Sequence, residues 1–260
     1  VLVPTDEGGV SDFADADFGM APFDLPDDFI TVPAAADAMI RTDVDARRND
    51  NYGCDPYLGV GGSRGGGEIP MGGADGIRSL VHFEIPPLMT PLPLAEAVLD
   101  LTIGEFRDGE GQTYEIGVYP IVPTDGLTPW IEGDGNEYDA VEMGCAQVDS
   151  AHGVAWVGDG DGGDENNQTQ PDFEDDPVAV ATIVQDEHEI GDVISFDVTD
   201  MVRSWMMSDG GRPNFGFVLR DTTSDGATFK QIWFNSRDGD ATDFRATPGP
   251  LLKLRFGMPD

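Results

Sequence analysis

The stretch from Ile194 to Leu219, ISFDVTDMVRSWMMSDGGRPNFGFVL, decides the fold. Ile194, Phe196 and Val198 alternate with polar residues, the period of a strand with one buried face. Thr199 or Asp200 then offers an N-cap oxygen, and Met201, Val202, Trp205 and Met206 share one face of a short helix, Thr199–Met207. Asp209-Gly210-Gly211 stops that helix, and Phe215, Phe217 and Leu219 open a new strand. A short helix between two strands reads as a plug over one end of a β-sandwich. Nothing in it looks catalytic.

Working outward, the strand period recurs along most of the chain. Asp37–Thr42, Tyr57–Val60, Arg78–Ile85, Ala97–Phe106 and Tyr114–Val122 carry it before the long insertion 127–177. Val178–Val184, Val193–Val198, Gly216–Arg220, Phe229–Asn235 and Leu251–Phe256 carry it afterwards. With 34 Gly and 19 Pro to make turns, this spacing predicts one all-β domain over 34–260, a jelly-roll-like antiparallel β-sandwich with one short helix. No linker to a second domain is visible. No run of 18 apolar residues exists, so no helical membrane span is expected.

Charge narrows the function. The chain has 14 Lys and Arg against 50 Asp and Glu, a formal −36, and Lys occurs only at Lys230 and Lys253. Such a surface repels nucleic acid, whose phosphates are bound by Lys and Arg. It also repels itself unless salt or divalent cations screen it. With no initiator Met and no charged leader followed by an apolar run, the expectation is a trimmed, secreted chain at the extracellular or cell-surface side. Cys54 and Cys145 are the only cysteines. In an oxidising compartment they are candidates for one disulfide, contributing on the order of 4–5 kcal/mol. Two separately buried thiols are the alternative.

Two segments depart from the strand pattern. Residues 1–33 mix acids with isolated aromatics and prolines, without either period, and read as an extended N-terminal arm. The arm either lies on its own domain or reaches a neighbour; Val1, Leu2, Val3, Phe29, Ile30 and Val32 are its candidate assembly residues, each able to add to a sheet edge. The insertion 127–177 is acidic and long for a loop without structure, which is usual where function or ions hold the chain. Within it, Asp159, Asp161, Asp164 and Glu165 sit among glycines and Asp172 follows. That pattern suits Ca²⁺, which takes six to eight oxygens from flexible loops, although Gln170 stands where an EF-hand would place its twelfth-position acid. A solvated acidic loop is the alternative.

Several motifs, in order, resemble one family. Asp37-Ala-Met-Ile-Arg, Asn49-Asp-Asn-Tyr-Gly and Arg78-Ser-Leu-Val-His-Phe-Glu-Ile come first, then Trp130-Ile-Glu-Gly with Trp156. Phe196-Asp-Val-Thr-Asp-Met-Val-Arg-Ser-Trp, Asn214-Phe-Gly-Phe-Val-Leu-Arg, Phe234-Asn-Ser-Arg-Asp and Pro250-Leu-Leu-Lys-Leu-Arg-Phe follow. The set resembles a DNRLRE-type domain, related to carbohydrate-binding module family 96, over about residues 34–257. The resemblance implies a secreted, non-catalytic jelly roll, in a family whose members are similar to modules of polysaccharide-degrading enzymes or cell-surface proteins, some of them binding acidic polysaccharides.

Site chemistry divides along the same lines. His82, His152 and His188 are far apart, with no metalloprotease motif and no nucleophile elbow, so an enzyme is not expected. Tyr52, Tyr57, Trp130 and Trp156 are candidate sugar-stacking faces, each with core packing as its alternative; Trp205 and Trp233 are read as core. The preferred expectation is a self-assembling extracellular structural protein, a filament or surface subunit whose partners are copies of itself. The alternative is a secreted module that binds a polysaccharide.

Overall fold

A computed structural model describes residues 29–41, 51–62, 77–85, 93–107, 111–121, 130–133, 135, 145, 149–151, 154–155, 173–207, 211–223, 230–239 and 248–257. Among these residues it is all β apart from one helix and one 3-10 turn, Gln185–Glu187. The strands are β1 (Ile30–Pro33), β2 (Ala36–Arg41), β3 (Tyr57–Gly61), β4 (Ile77–His82), β5 (Leu94–Arg107), β6 (Thr113–Pro120) and the short pair β7 (Asp149–Ala151) and β8 (Val154–Ala155). Then come β9 (Ala179–Val184), β10 (Val193–Asp197), helix α1 (Thr199–Met206), β11 (Phe217–Asp221), β12 (Gln231–Asn235) and β13 (Leu251–Phe256). The main sheet runs β1-β13-β5-β12-β3-β4-β11-β6-β9, with β10 also on β5 and β2 on β4. Every pairing is antiparallel. The expected antiparallel sandwich with one helix is therefore the observed fold. The strand at Ile30–Pro33 and the β7–β8 hairpin are additions to the sequence reading. Four residues of the expected arm thus belong to the sheet.

The sandwich turns on β5. Its first half, Leu94 to Thr102, is flanked by β13 and β10; its second half pairs with β12. Between the halves the β5–β12 register slips, Trp233 lying opposite Glu105 and Phe234 opposite Ile103. Gly104 is the extra residue, and a bulge of this kind bends a strand from one layer into the next. A side chain there would collide, its Cβ 2.5 Å from Asn235 Oδ1. The core fills the space between the layers. Leu99, Leu101, Phe196, Leu252 and Leu254 pack against Val81, Ile116, Val118, Phe217, Leu219 and Phe234, all essentially inaccessible.

One layer is also covered on its outer face. Ala38, Ile40, Leu80 and Val218 point away from the main core and meet Tyr119, Trp130, Cys145 and Phe215. A third cluster joins Met39, Tyr52, Ile77 and Trp233. Strands such as β4 and β11 are thus buried on both faces, which explains why Phe217-Val-Leu reads as a continuous apolar run and why even Arg78 and Ser79 of β4 are buried.

Helix α1 closes the end, as expected from its apolar face, but it starts differently. Thr199 is the first helical residue, and Val198 before it gives no side-chain cap. Instead Asp197 accepts the Thr199 N–H at 3.0 Å and its hydroxyl at 2.6 Å, and these bonds hold the Asp197 carboxyl below the usual range. The Thr199 oxygen accepts the Ala97 N–H at 2.9 Å, extending the β10–β5 ladder by one rung. Arg203 then clamps the helix, donating to the Leu94 and Ala95 carbonyls at 2.9 and 2.8 Å. Met201 and Val202 are buried, and Trp205 packs on Phe217 with ring centroids 4.7 Å apart.

Both lysines reach aspartates inside the fold. Lys230 Nζ lies 2.9 Å from Asp221 Oδ2 and also donates to the Thr113 carbonyl and the Thr223 hydroxyl. Lys253 Nζ lies 2.5 Å from Asp100 Oδ2, whose other oxygen accepts Ser195 Oγ–H at 2.6 Å. A charge taken from water needs both a partner and its full set of hydrogen bonds. That need accounts for lysine at these two places in an otherwise lysine-poor chain.

Candidate functional site

Three parts of the chain distant in sequence meet beside the outer apolar cluster. β2 brings Asp37, the insertion brings Glu132, and the turn after β12 brings Ser236, Arg237 and Asp238. Arg237 grips both Glu132 oxygens, Nε to Oε1 at 2.8 Å and Nη2 to Oε2 at 2.7 Å, and donates to the Ala35 carbonyl at 2.6 Å. Asp37 accepts the Ser236 hydroxyl and the Arg237 N–H, each at 2.8 Å, while its own N–H donates to Glu132 at 2.6 Å. Asp37 is 1 % exposed, and burial pushes its carboxyl up to about 7 against the hydrogen bonds that favour the charged form. Burial likewise raises Glu132, despite Arg237 beside it.

Asn51 ties the insertion to the same place. Its amide donates to the carbonyls of Glu132 at 2.6 Å and Cys145 at 2.8 Å, and its oxygen accepts the N–H groups of Gly53 and Gly135. All four hydrogen-bonding positions of the side chain are used. Gly53 passes so close that a Cβ would sit 2.2 Å from the Glu132 carbonyl oxygen.

Carboxylate oxygens of Asp37, Glu132 and Asp238 lie within 4.8 Å of one another, the one group of metal-ligating residues among those described. The guanidinium of Arg237 already supplies its countercharge, and a cation would have to displace a two-pronged ion pair, the strong form of this contact. The chemistry of the cluster is that of a tie between segments.

The residues singled out in the sequence fall elsewhere. Trp130 is 7 % exposed, and its indole N–H donates to the Phe215 carbonyl at 3.0 Å; Tyr52 is 1 % exposed. Both are core residues and offer no face to a sugar. Tyr57 is half-buried, edge-on to Trp233 at 5.9 Å. Trp233 is fully buried, as expected, with the Arg107 guanidinium 3.5 Å above its ring. Trp156, the acidic-loop residues Asp159, Asp161, Asp164, Glu165 and Asp172, and Val1, Leu2 and Val3 lie outside the described residues. Val32 is buried in its own domain, whereas Phe29 and Ile30 are 38 % and 45 % exposed.

The disulfide expectation is corrected. Cys54 is exposed and Cys145 is buried, and the two sulfurs are not bonded to each other. Cys145 packs inside the outer cluster, where burial raises its thiol far above the ordinary range. The insertion is joined to the 51–54 turn by backbone contact instead, the Cys54 N–H donating to the Gly135 carbonyl at 2.7 Å.

A second feature, absent from the sequence reading, is an open groove of about 790 Å³ between α1 and the start of β5. Arg203, Arg212 and Arg255 line it, paired with Asp200, Glu174 and Glu96. The helix, the start of β5 and connecting residues such as Glu174 and Arg212 come together there only on folding, so no local motif announces it. No family model and no curated protein matches the chain.

Proposed function

We propose that this chain is a non-catalytic, extracellular structural subunit that assembles with copies of itself, within a DNRLRE-like fold. One observation carries the reading. β1, which continues directly from the N-terminal arm, is an end strand of the sheet, and Phe29 and Ile30 beside its edge are exposed apolar residues. An open strand edge is a template for pairing with another chain. The convergence of Asp37, Asn51, Trp130, Glu132 and Arg237, drawn from four of the motifs quoted above, supports the family relation by giving those motifs a common structural purpose. Salt or Ca²⁺ screens the −36 charge at the contacts.

The test is negative-stain microscopy of the purified chain from low to high salt, with Ca²⁺ and then chelator. Filaments or sheets are the expected result. Monodisperse particles under every condition would remove the proposal.

The polar groove beside α1 favours a second reading, a module for a hydroxyl-rich ligand such as a polysaccharide. Paired acids and arginines are suitable partners for sugar hydroxyls, and the volume lies within the range of small-ligand sites. Binding isotherms with neutral and uronate polymers, repeated with Arg255→Ala, test it; flat isotherms would dismiss it.

A further inference from the structure

We infer that the surface accepting β1 is the β9 edge of a second copy, so that subunits join head to tail. The inference rests on the assembly reading above and names its missing half. Among the described residues the sheet path ends at β1 and at β9. About one residue in four of the chain is charged, yet β1 (ITVP) and β9 (AVATIV) contain none. Strands at sheet edges are ordinarily protected by charge, above all Lys, by Pro or by bulges; β1 has only Pro33, at its last position. β10, which pairs in the main sheet with β5 alone, fits that rule, carrying the exposed Asp197. β9 has neither charge, proline nor a register slip against β6.

The hydrogen-bond phase of each strand shows what its edge offers. The Gln185 N–H donates to the Gln112 carbonyl, so in the antiparallel alternation Ile183 and Ala181 face β6, and Val180 and Thr182 turn their N–H and C=O groups outward. On β1, the Ala34 N–H donates to the Pro250 carbonyl, which makes Val32 and Ile30 face β13 and leaves Thr31 directed outward. Val180 is 47 % exposed, matching the apolar Phe29 and Ile30 at the other end.

Charge selects this pair of edges. Two bodies of −36 meet at least cost where neither brings a carboxylate into the contact, and added salt shortens the remaining repulsion to roughly 3 Å at 1 M. The two edges are different surfaces, so each subunit keeps one free after joining. Such a contact does not close, and it grows a filament. The paired strands are short, so growth depends on concentration as well as salt.

Thr31→Pro removes an outward N–H from β1, and Thr182→Pro does the same to β9; neither touches the ladder to β13 or β6. Each variant is first checked for an unchanged thermal transition, with Val180→Asp replacing Thr182→Pro if the latter does not fold. In high salt each variant alone is expected to raise the critical concentration by at least about tenfold, as loss of one or two hydrogen bonds implies. A one-to-one mixture is then expected to give dimers and no filaments in sedimentation, because each variant retains one intact end. Filaments formed by folded Thr182→Pro at the wild-type concentration would overturn the β9 assignment while leaving the assembly reading in place. A mixture that stays monomeric would also overturn it. Wild-type chain that never assembles would remove the assembly reading itself, and this inference with it.

Discussion

Replacing Asp37 by Asn should change how stability depends on pH. An acid whose pKa folding raises contributes stability that is fully present below its unfolded value, near 3.8, and lost as pH climbs through its folded value, about 7. Three pH units at 1.36 kcal/mol each give a loss of about 4 kcal/mol across that window, as an upper figure for this single group. Asn keeps one acceptor for the Arg237 N–H, and its amide can donate to Ser236 Oγ, but it has no proton to exchange. The variant should therefore be the less stable protein near pH 4.5 and equal to or more stable than the wild type near pH 8. Urea unfolding of both proteins at fixed ionic strength measures the difference, in which the other carboxylates cancel. Parallel curves, with a constant gap from pH 4.5 to 8, would refute the assignment of a strained, buried carboxyl to Asp37.

Lys230→Met should cost about 3–5 kcal/mol, because it leaves the Asp221 charge buried and unmatched; adding Asp221→Asn should recover a large part, and no recovery would refute the electrostatic reading. Trp130→Ala should cost about 3–5 kcal/mol as a core truncation that also orphans the Phe215 carbonyl, whereas an unchanged unfolding midpoint would mean that the ring is not packed. Maleimide should label Cys54 in the native protein and reach Cys145 only in denaturant. An intact mass about 2 Da lower than that of the dithiol would instead restore the disulfide.

Strand periodicity made the architecture readable, since residues such as Phe196, Leu219 and Leu254 have one role each, facing a core. The helix was legible for the same reason, its apolar stripe leaving little choice of face. The cap was not, because the oxygen that matters belongs to Asp197, two residues before the amide it binds. β1 was hidden by Pro33 and by its shortness; only pairing with β13, more than 200 residues away, makes it a strand. The insertion misled for a physical reason. A tryptophan in a polar, glycine-rich segment resembles a sugar platform, but Trp130 meets an apolar outer face built by Ala38, Ile40, Leu80 and Val218, whose alternation gave no sign of a second core. The Asp37–Glu132–Arg237 tie was visible only as three separate motif residues. Nothing local states that they touch.

The position of β5 has a consequence for synthesis. All three of its partners lie far downstream, β10 some 90 residues away and β12 and β13 more than 120. At about 5–20 residues per second, this 14-residue strand waits roughly 5–20 s for its first neighbour and longer for the others. Its Leu99, Leu101 and Ile103 are meanwhile exposed, with long-range pairing the slow step. The acids that burden the finished fold with repulsion keep such unpaired chains apart during that interval. Acidity therefore protects the nascent chain at the same time as it weakens the mature fold.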